Sequence, residues 1–512
     1  MKDSIAKRLS QRNRQRLKRL KKANETKYRK SVADAGPELS LSGLKYELSD
    51  KVQGIVYGGI PLMVSLAQKL GLTQAIDRRL NLLKFHLPYH ESDHVMNFAI
   101  NALCGGTCLE DIELRRNDVN FLNAVGADAI PDPTTAGDFC RRFSEDDIDD
   151  LHQAIDDARI TAWQSQDGSF FDEAVIDADG TLVQTTGQTK QGMDISYKGV
   201  WGYHPLLVSL ANTGEVLRLF NRSGNRPSEE GAAAYTDQAI DVCRRGGFKK
   251  IRLRGDTAFS QTEYLDGWDS QGVKFQFGYM AAANLVEIAD NLDESEWKQL
   301  QRSPSYNRKG PSRAKPPNIK EQIVKERGYE NLKLECEHVA EFDYSPARAK
   351  KTYRMVVVRK NITKEKGQER LFDEIRYLFY ITNDRQRSAT RIVFGCNERC
   401  NQENLIAQLG AQRALHAPVD NLTSNWAYML MTSLAWTLKA WAALQIPIDG
   451  RWKEKHTAER ERILRMEFKT FVNGWIRIPV QIVRKARRRT LRVLSWNQWL
   501  PGFFRLSQVL KL

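Results

Sequence analysis

Two short apolar runs that each end in an aspartate constrain this chain more than any other feature. Val175–Asp179 and Ile251–Asp256 have the length of strands and are bounded by turn-forming residues. Strand-like runs alternate here with helix-like stretches, which predicts an α/β sheet. In open α/β sheets, ligands bind where such strands end. A third carboxylate, Glu403, falls in the helix-like stretch Glu398–Ile406.

These three carboxylates predict a two-metal phosphoryl-transfer site, in which the metals clamp the attacking and leaving oxygens. We expect Asp179, Asp256 and Glu403 to be both the catalytic residues and the metal ligands, with Asp179 bridging the ions. Asp177 should point to the same face of its strand as Asp179 and support it. The competing interpretation is that each aspartate caps the turn or helix that follows. Glu398 competes with Glu403 for the position on the helix.

The charge of the chain favours a polyanionic partner. The formal net charge is +15 and the pI is about 9.4, so phosphate neutralisation and counterion release would drive binding. Residues 1–31 contain thirteen Lys or Arg and two acidic residues. A second basic cluster near the end of the chain contains Arg487, Arg488 and Arg489, which we expect to bind DNA. A solubilising tail is the alternative role for residues 1–31.

Cysteine usage and hydropathy favour a cytoplasmic protein. The seven cysteines form no CxxC pair, which fits a reducing compartment better than a disulfide framework. The N-terminus has no apolar signal region. The apolar stretch from 426 to 446 contains Lys439 and several polar residues, so we interpret it as a buried core helix and expect no membrane contact. The chain has no GxxxxGK[ST] motif, so we expect no nucleotide cofactor.

Changes in composition and periodicity divide the chain. We expect a basic arm (1–44), a helical DNA-binding or dimerisation domain (45–165), the first part of the catalytic core (166–282), a β-rich insertion (283–390), the last core helices (391–449) and a basic helical C-terminal region (450–512). The insertion is far longer than a connector, so it must fold. We expect its basic 302–328 loop to grip DNA, with Tyr344 or Tyr353 stacking on a base; a structural brace is the alternative.

Four segments together resemble the DDE transposases of bacterial insertion sequences, in particular the insertion-sequence family numbered thirteen-eighty. They are Asp179–Thr181, Tyr197–Leu206, Arg254–Phe259 and Asn401–Asn404. The resemblance implies an RNase H-like core interrupted by a β-rich insertion. It also implies DNA cleavage and strand transfer that depend on two Mg²⁺ ions, for which Mn²⁺ can substitute. The partners would be the terminal inverted repeats and target DNA, bound by a homodimer in a bacterial, nucleoid-associated setting.

A related branch of this family has a Tyr-(2)-Arg-(3)-Glu-(6)-Lys pattern on the glutamate helix. Arg399 and Glu403 match its Arg and Glu, whereas Cys396 and Gly410 stand at the Tyr and Lys positions. Lys439 and the basic tail are the candidates to replace the missing Lys.

We expect three further cations near the carboxylates to contact DNA. They are Arg399, Lys198 and Arg254. Two other functions remain open at this point: a catalytically inactive DNA-binding protein with the same basic surfaces, and an RNase H-like nuclease that cuts without joining ends.

Overall fold

A computed structural model describes residues 14–23, 25, 52–302, 317–366, 369–448, 450–485 and 488–512. Within the predicted basic arm, residues 14–23 are helical and most of the others lie outside the described residues. Residues 303–316 of the predicted DNA-gripping loop lie outside them as well, as do Arg487 and the side chain of Arg488.

Fifteen strands are assigned among the described residues. The strands are β1 Gln53–Ile55, β2 Ala174–Gly180, β3 Val183–Gln184, β4 Asp194–Ile195, β5 Trp201–Tyr203, β6 Leu206–Leu210, β7 Glu215–Phe220, β8 Ile251–Gly255, β9 Lys274–Tyr279, β10 Lys298–Gln299, β11 Glu330–Tyr344, β12 Tyr353–Lys366, β13 Glu369–Thr382, β14 Val480–Lys485 and β15 Arg488–Val493. Nine of them form one large mixed sheet in the order β10-β11-β12-β13-β9-β8-β2-β6-β7.

The centre of this sheet is parallel and its flanks are antiparallel. β2, β8 and β9 run parallel to one another. β6 and β7 form a hairpin that pairs antiparallel with β2 on one side. On the other side, the long antiparallel strands β11, β12 and β13 join the sheet through the β13–β9 pair. The predicted insertion therefore extends the central sheet directly, because its last strand, β13, pairs with β9.

Helices cover the sheet and build the N-terminal and C-terminal regions. The α-helices are α1 Ile60–Lys69, α2 Leu72–Arg79, α3 Glu91–Leu103, α4 Glu113–Arg116, α5 Val119–Val125, α6 Pro133–Cys140, α7 Glu145–Trp163, α8 Ala232–Gly246, α9 Thr262–Ser270, α10 Ala283–Asp290, α11 Ile319–Arg327, α12 Ala389–Asn397, α13 Cys400–Ala411, α14 Leu422–Leu444, α15 Lys453–Leu464, α16 Phe468–Phe471 and α17 Leu500–Val509. One apolar cluster joins the helices before β2 to those after α13, and a second fills the space around the sheet.

The apolar stretch near residue 430 forms α14, which is buried from Ser424 to Leu444. Trp426 and Trp441 on this helix donate hydrogen bonds to the sheet, to the carbonyl of Leu219 at 2.6 Å and to Oε1 of Glu215 at 2.7 Å. The prediction of a buried core helix is confirmed. Among the described residues, no helix has both the length and the apolar character needed to cross a membrane.

The prediction of an entirely helical C-terminal region was wrong for residues 480–493. β14 and β15 form an antiparallel hairpin there, and β14 also pairs with β1 near the other end of the chain. The physical reason is visible in the sequence, because buried Val480 and Ile482 alternate with the more exposed Gln481, which is the two-residue period of a strand. Arg489 of the basic cluster therefore lies on the second strand of this hairpin, opposite Arg484. The exposed Arg489 donates from Nη1 to the carbonyl of Asn123 at 2.7 Å.

Lys439 provides a test of how this core is packed. It lies buried on α14 with Nζ 3.7 Å from the centre of the Trp436 ring and 2.8 Å from the carbonyl oxygen of Leu464. Burial lowers the pKa of Lys439 to about 7. Since the lysine of the unfolded chain titrates near 10.4, the unfolded state binds more protons between these values, and stability gained from this group rises with pH.

We therefore predict that Lys439→Met, which keeps the volume and removes the charge, stabilises the protein more at pH 7 than at pH 9. The measurement is the thermal midpoint of both proteins at both pH values. All other titrating groups are shared, so they cancel in the comparison. An equal difference between the two proteins at pH 7 and pH 9 would show that the lysine is accommodated in its charged form.

Candidate active site

Asp179 and Asp256 end two neighbouring parallel strands. β2 and β8 are paired with Asp177 opposite Arg254. Extending this register by two residues puts Asp179 opposite Asp256, since both pairs are separated by 77 positions in the chain. Asp256 is the first residue after β8, and its charge acts on Asp179. The side chain of Asp256 also caps the turn after β8, accepting from the backbone N–H of Ala258 at 3.0 Å.

Asp179 contacts Arg399 and Gly180, and the charges of two further carboxylates act on it. Its Oδ2 accepts from Nη1 of Arg399 at 3.3 Å, and its Oδ1 accepts from the backbone N–H of Gly180 at 2.8 Å. Burial raises the pKa of Asp179 to about 6; the carboxylates of Asp256 and Glu403 also raise it, and Arg399 opposes the rise. The charges of Asp256 and Glu403 therefore act on Asp179, and the exposed Glu403 is linked to Asp179 through Arg399.

Arg399 lies between two of these carboxylates. The predicted helix Glu398–Ile406 is broken, because α12 ends at Asn397 and α13 begins at Cys400. Arg399 is the residue just before α13. Its Nη2 is 3.8 Å from Oε1 of the exposed Glu403, and its Nη1 contacts Asp179. The guanidinium thus bridges the strand carboxylate and the helix carboxylate.

Gln402 fixes the helix that carries Glu403, and the sequence analysis missed it. Its side chain is buried, accepts a hydrogen bond from the hydroxyl of Ser209 and donates to the carbonyl of Leu207 at 3.2 Å. Both partners are on β6, the neighbour of β2. The only sequence signal was the position of Gln402 next to Glu403, which gives no indication of burial.

Arg254, which we predicted to contact DNA, is buried behind the carboxylates. It donates from Nε and Nη2 to both oxygens of Asp177, at 2.6 and 2.8 Å. Its Nη1 donates to Oε2 of Glu398 at 3.0 Å and to the carbonyl of Gly395 at 3.1 Å. Asp177 is therefore the supporting carboxylate that the sequence analysis expected, and it acts by holding Arg254.

His204 packs directly against the residue that follows Asp179. A Cβ added at Gly180 would stand 2.8 Å from Nε2 of His204 and 3.4 Å from Nη2 of Arg222, so only glycine fits. The Nδ1 of His204 is 2.8 Å from the carbonyl oxygen of Arg226. The buried Arg222 donates to the His204 carbonyl at 2.9 Å and to three carbonyls of the 227–230 loop. No sequence signal marked Arg222 for this role.

The other predicted residues lie in four different parts of the structure. Lys198 is exposed at the tip of the β4–β5 hairpin. Tyr353 is 2% exposed and donates to Asp266 at 2.6 Å, so its ring has no free face for a base. Cys396 is buried in a small apolar cluster of the insertion and α12. Lys439 lies in the helical core, so it does not replace the missing Lys of the family pattern.

The donor chemistry at Asp179 fits a divalent cation. Carboxylate oxygens are the ligands that Mg²⁺ prefers. The pKa of Asp179 is raised first by burial and then by the charges of Asp256 and Glu403, which a bound cation would offset. Within the described residues, no three His, Cys, Asp or Glu side chains already stand close enough together to hold a metal ion. Arg399 supplies the positive charge between Asp179 and Glu403 in this structure.

Comparison with known proteins identifies the family. The profile of the family described as "Transposase DDE domain group 1" matches residues 56–508. The chain belongs to this transposase family. The match spans the helical region, the sheet, the insertion and the C-terminal hairpin, and membership implies the use of a divalent metal.

The comparisons with curated sequences and with solved structures do not change this assignment. No curated protein sequence matches this chain. One similar solved structure is the cryo-EM structure of a piggyBac transposase synaptic complex with hairpin DNA. It is 9% identical, the match covers 84% of each chain, and the TM-score is 0.34. The family assignment therefore rests on the profile match alone.

We predict that removing the charge of Asp177 lowers the thermal midpoint, whereas removing the charge of Asp179 raises it. Burial also raises the pKa of Asp177, but Asp177→Asn leaves the buried Arg254 with only the exposed Glu398 as a carboxylate partner. This loss should cost on the order of 3 kcal/mol and lower the thermal midpoint. Asp179→Asn removes a carboxylate whose pKa is raised to about 6. Because ionised Asp179 is unfavourable above this pKa, its replacement should raise the thermal midpoint at pH 7.5. A loss of stability in both variants would refute this division of roles.

Proposed function

We propose that this transposase cleaves DNA at the ends of a bacterial insertion sequence and joins the freed 3′ ends to target DNA. The observations that support this most are the parallel pairing of β2 with β8 just before Asp179 and Asp256, and the Arg399 link from Asp179 to Glu403. We further propose that β2, β6, β7, β8 and β9 form an RNase H-like core, because its first strand is central and ends in a catalytic carboxylate.

In this proposal the three carboxylates hold two Mg²⁺ ions. When bound, such a pair supplies Lewis-acid stabilisation of the attacking and leaving oxygens. Asp179 and Asp256 are presented by rigid strands, and Glu403 is held by the Gln402 contacts to β6. Arg399 is positioned to bind a phosphate beside the scissile bond once cations take over the charge of the two carboxylates. Arg254 is assigned a positioning role because its donors are occupied.

DNA binding is proposed for the exposed cations. Lys198 beside the carboxylates and the basic cluster with Arg487, Arg488 and Arg489 are the candidates for backbone contacts, and phosphate contacts of this kind carry no sequence information. The helical region before β2 is the candidate reader of the terminal repeats. Since two ends must be processed together, we propose a homodimer as the DNA-bound form.

The first prediction of this proposal concerns Asp256. Asp256→Asn keeps an oxygen that can accept from the Ala258 N–H, so the turn after β8 should fold unchanged. Loss of the charge should reduce cleavage by on the order of a thousandfold or more. The assay uses labelled DNA that carries the inverted repeats flanking the gene, with Mg²⁺, and separates nicked from strand-transfer products.

Asp128→Asn is the matched control, because this aspartate is exposed and lies outside the carboxylate cluster. Equal nicking by wild type and Asp256→Asn would contradict the active-site assignment and favour an inactive DNA-binding protein. Cleavage without any joined product would favour the plain nuclease.

The second prediction concerns the N-terminal basic residues. Deleting residues 1–31 removes thirteen Lys or Arg, so the slope of log affinity against log salt should flatten by about 0.9 for each phosphate that these residues neutralise. The measurement is the binding of non-specific duplex DNA over a range of salt concentrations. An unchanged slope would reduce this arm to a solubility tail.

A further inference from the structure

The β4–β5 hairpin carries three exposed apolar side chains. Tyr197 is 83% exposed, Trp201 is 51% exposed and Ile195 is 44% exposed. Ile195 and Trp201 are direct partners across the hairpin. Large aromatic side chains at such exposure contribute little to folding, and clusters of this kind mark binding surfaces.

The tip of this hairpin has a defined shape. The backbone N–H of Ser196 donates to the carbonyl of Val200 at 2.9 Å, and the N–H of Gly199 donates back to the carbonyl of Ser196 at 2.8 Å. Gly199 has φ of 73°, in the left-handed region that favours glycine. The three residues between Ser196 and Val200 therefore form a tight loop, in which Tyr197 and Lys198 are presented to solvent.

The hairpin is also fixed to its surroundings at its base. The Tyr203 hydroxyl donates to the carbonyl of Gln191 at 2.8 Å, and Asn225 donates to Asp194 at 2.6 Å. The backbone N–H of Gly224 donates to the carbonyl of Gly202 at 3.0 Å. A tip held in this way lowers the entropic cost of binding, because the backbone that carries the aromatic ring is already ordered.

This base lies at the end of the strand that carries Asp179. His204, one residue after β5, packs on Gly180, and the N–H of Thr181 donates to the carbonyl of Pro205 at 3.0 Å. With about 3.3 Å for each residue of a strand, the tip stands on the order of 15 Å from Asp179, a distance of about four nucleotides.

The tip is positively charged as well as aromatic. Nζ of Lys198 lies 5.3 Å from the centre of the Tyr197 ring. Lys198 is in none of the ion pairs found among the described residues, so its charge is not neutralised by a carboxylate there. A ring and a cation side by side match a nucleotide, whose base offers a flat face and whose phosphate offers a negative charge.

We propose that the Tyr197–Lys198 tip binds an unpaired nucleotide at the DNA end that is being processed, with Tyr197 stacking on the base and Lys198 contacting the backbone. This inference rests on the proposed function, because it takes DNA as the substrate. It assigns the stacking role to the hairpin that follows Asp179, whereas the sequence pattern had favoured the insertion.

The experiment compares two duplexes of the same sequence, one fully paired and one with two mismatched base pairs at the end. 2-Aminopurine occupies a mismatched position, and EDTA prevents cleavage. Because stacking on an aromatic ring tolerates any base, the native repeat is not needed. Wild type should bind the frayed duplex about tenfold more tightly than the paired one and quench the 2-aminopurine fluorescence.

Tyr197→Ala should abolish both the preference and the quenching, and Tyr197→Phe should retain them. Lys198→Ala should weaken the binding of both duplexes equally. Trp452→Ala is the matched control, because Trp452 is 54% exposed and lies just before α15, outside the surfaces that the proposal assigns to DNA. Since Tyr197 is exposed, the thermal midpoint of its variants should equal that of wild type.

Retention of the preference by Tyr197→Ala, or equal binding of both duplexes by wild type, would overturn the inference. A change in molecular mass of the free protein in tip variants, with the DNA preference intact, would assign the tip to protein contact instead. Failure of wild type to bind either duplex would refute the proposed function itself, which separates that failure from failure of the tip assignment.

Discussion

The contact between Arg254 and Asp177 holds the candidate active site together. Arg254 is on β8, Asp177 is on β2, and the same guanidinium reaches the end of α12 through Glu398. A candidate site residue follows each contact along the chain: Asp179 after Asp177, Asp256 after Arg254, and Arg399 after Glu398. A buried pair of this kind is costly to break, because either partner alone would be left as an uncompensated charge.

This arrangement separates support from chemistry. The charges of Arg254 and Asp177 are buried and paired with each other, so they hold β8 and β2 together without taking part in chemistry. The carboxylates of Asp179 and Glu403 are more exposed and are only partly balanced by Arg399. A cation site requires negative charge that is accessible and only partly balanced. The buried Arg254–Asp177 pair is already neutral and needs no cation. The fold therefore keeps its unsatisfied charge at the place where substrate can arrive.

Much of this organisation could be predicted from the sequence, and the failures have physical causes. The strand ends at Asp179 and Asp256 could be predicted because short apolar runs and turn residues are local signals. The strands of the insertion were expected for the same reason, but their continuation of the central sheet depends on pairing with β9, which is not a local property. An arginine within a strand suggests a surface cation, and nothing nearby in the sequence indicates the partners that bury Arg254. The break before α13 was missed because no Gly or Pro marks it at residues 397–400, and the hairpin after Val480 was missed because its alternation covers only a few residues.

The pairing of β2 with β8 has a consequence for how chains of this kind can differ in length. Asp177 and Asp179 share one face of β2, and Arg254 and Asp256 are separated by the same two residues along β8. Gaining or losing one residue between Asp177 and Asp179, or between Arg254 and Asp256, would turn one residue of the pair toward the opposite face of the sheet. The supporting residue and the candidate metal ligand would then lie on different faces. The loops of the crossover between these strands, outside the β4–β5 hairpin, have no such restriction, since their length does not alter the register of β2 with β8. Insertions and deletions in related proteins should therefore accumulate in these loops and be absent from the Asp177–Asp179 and Arg254–Asp256 steps.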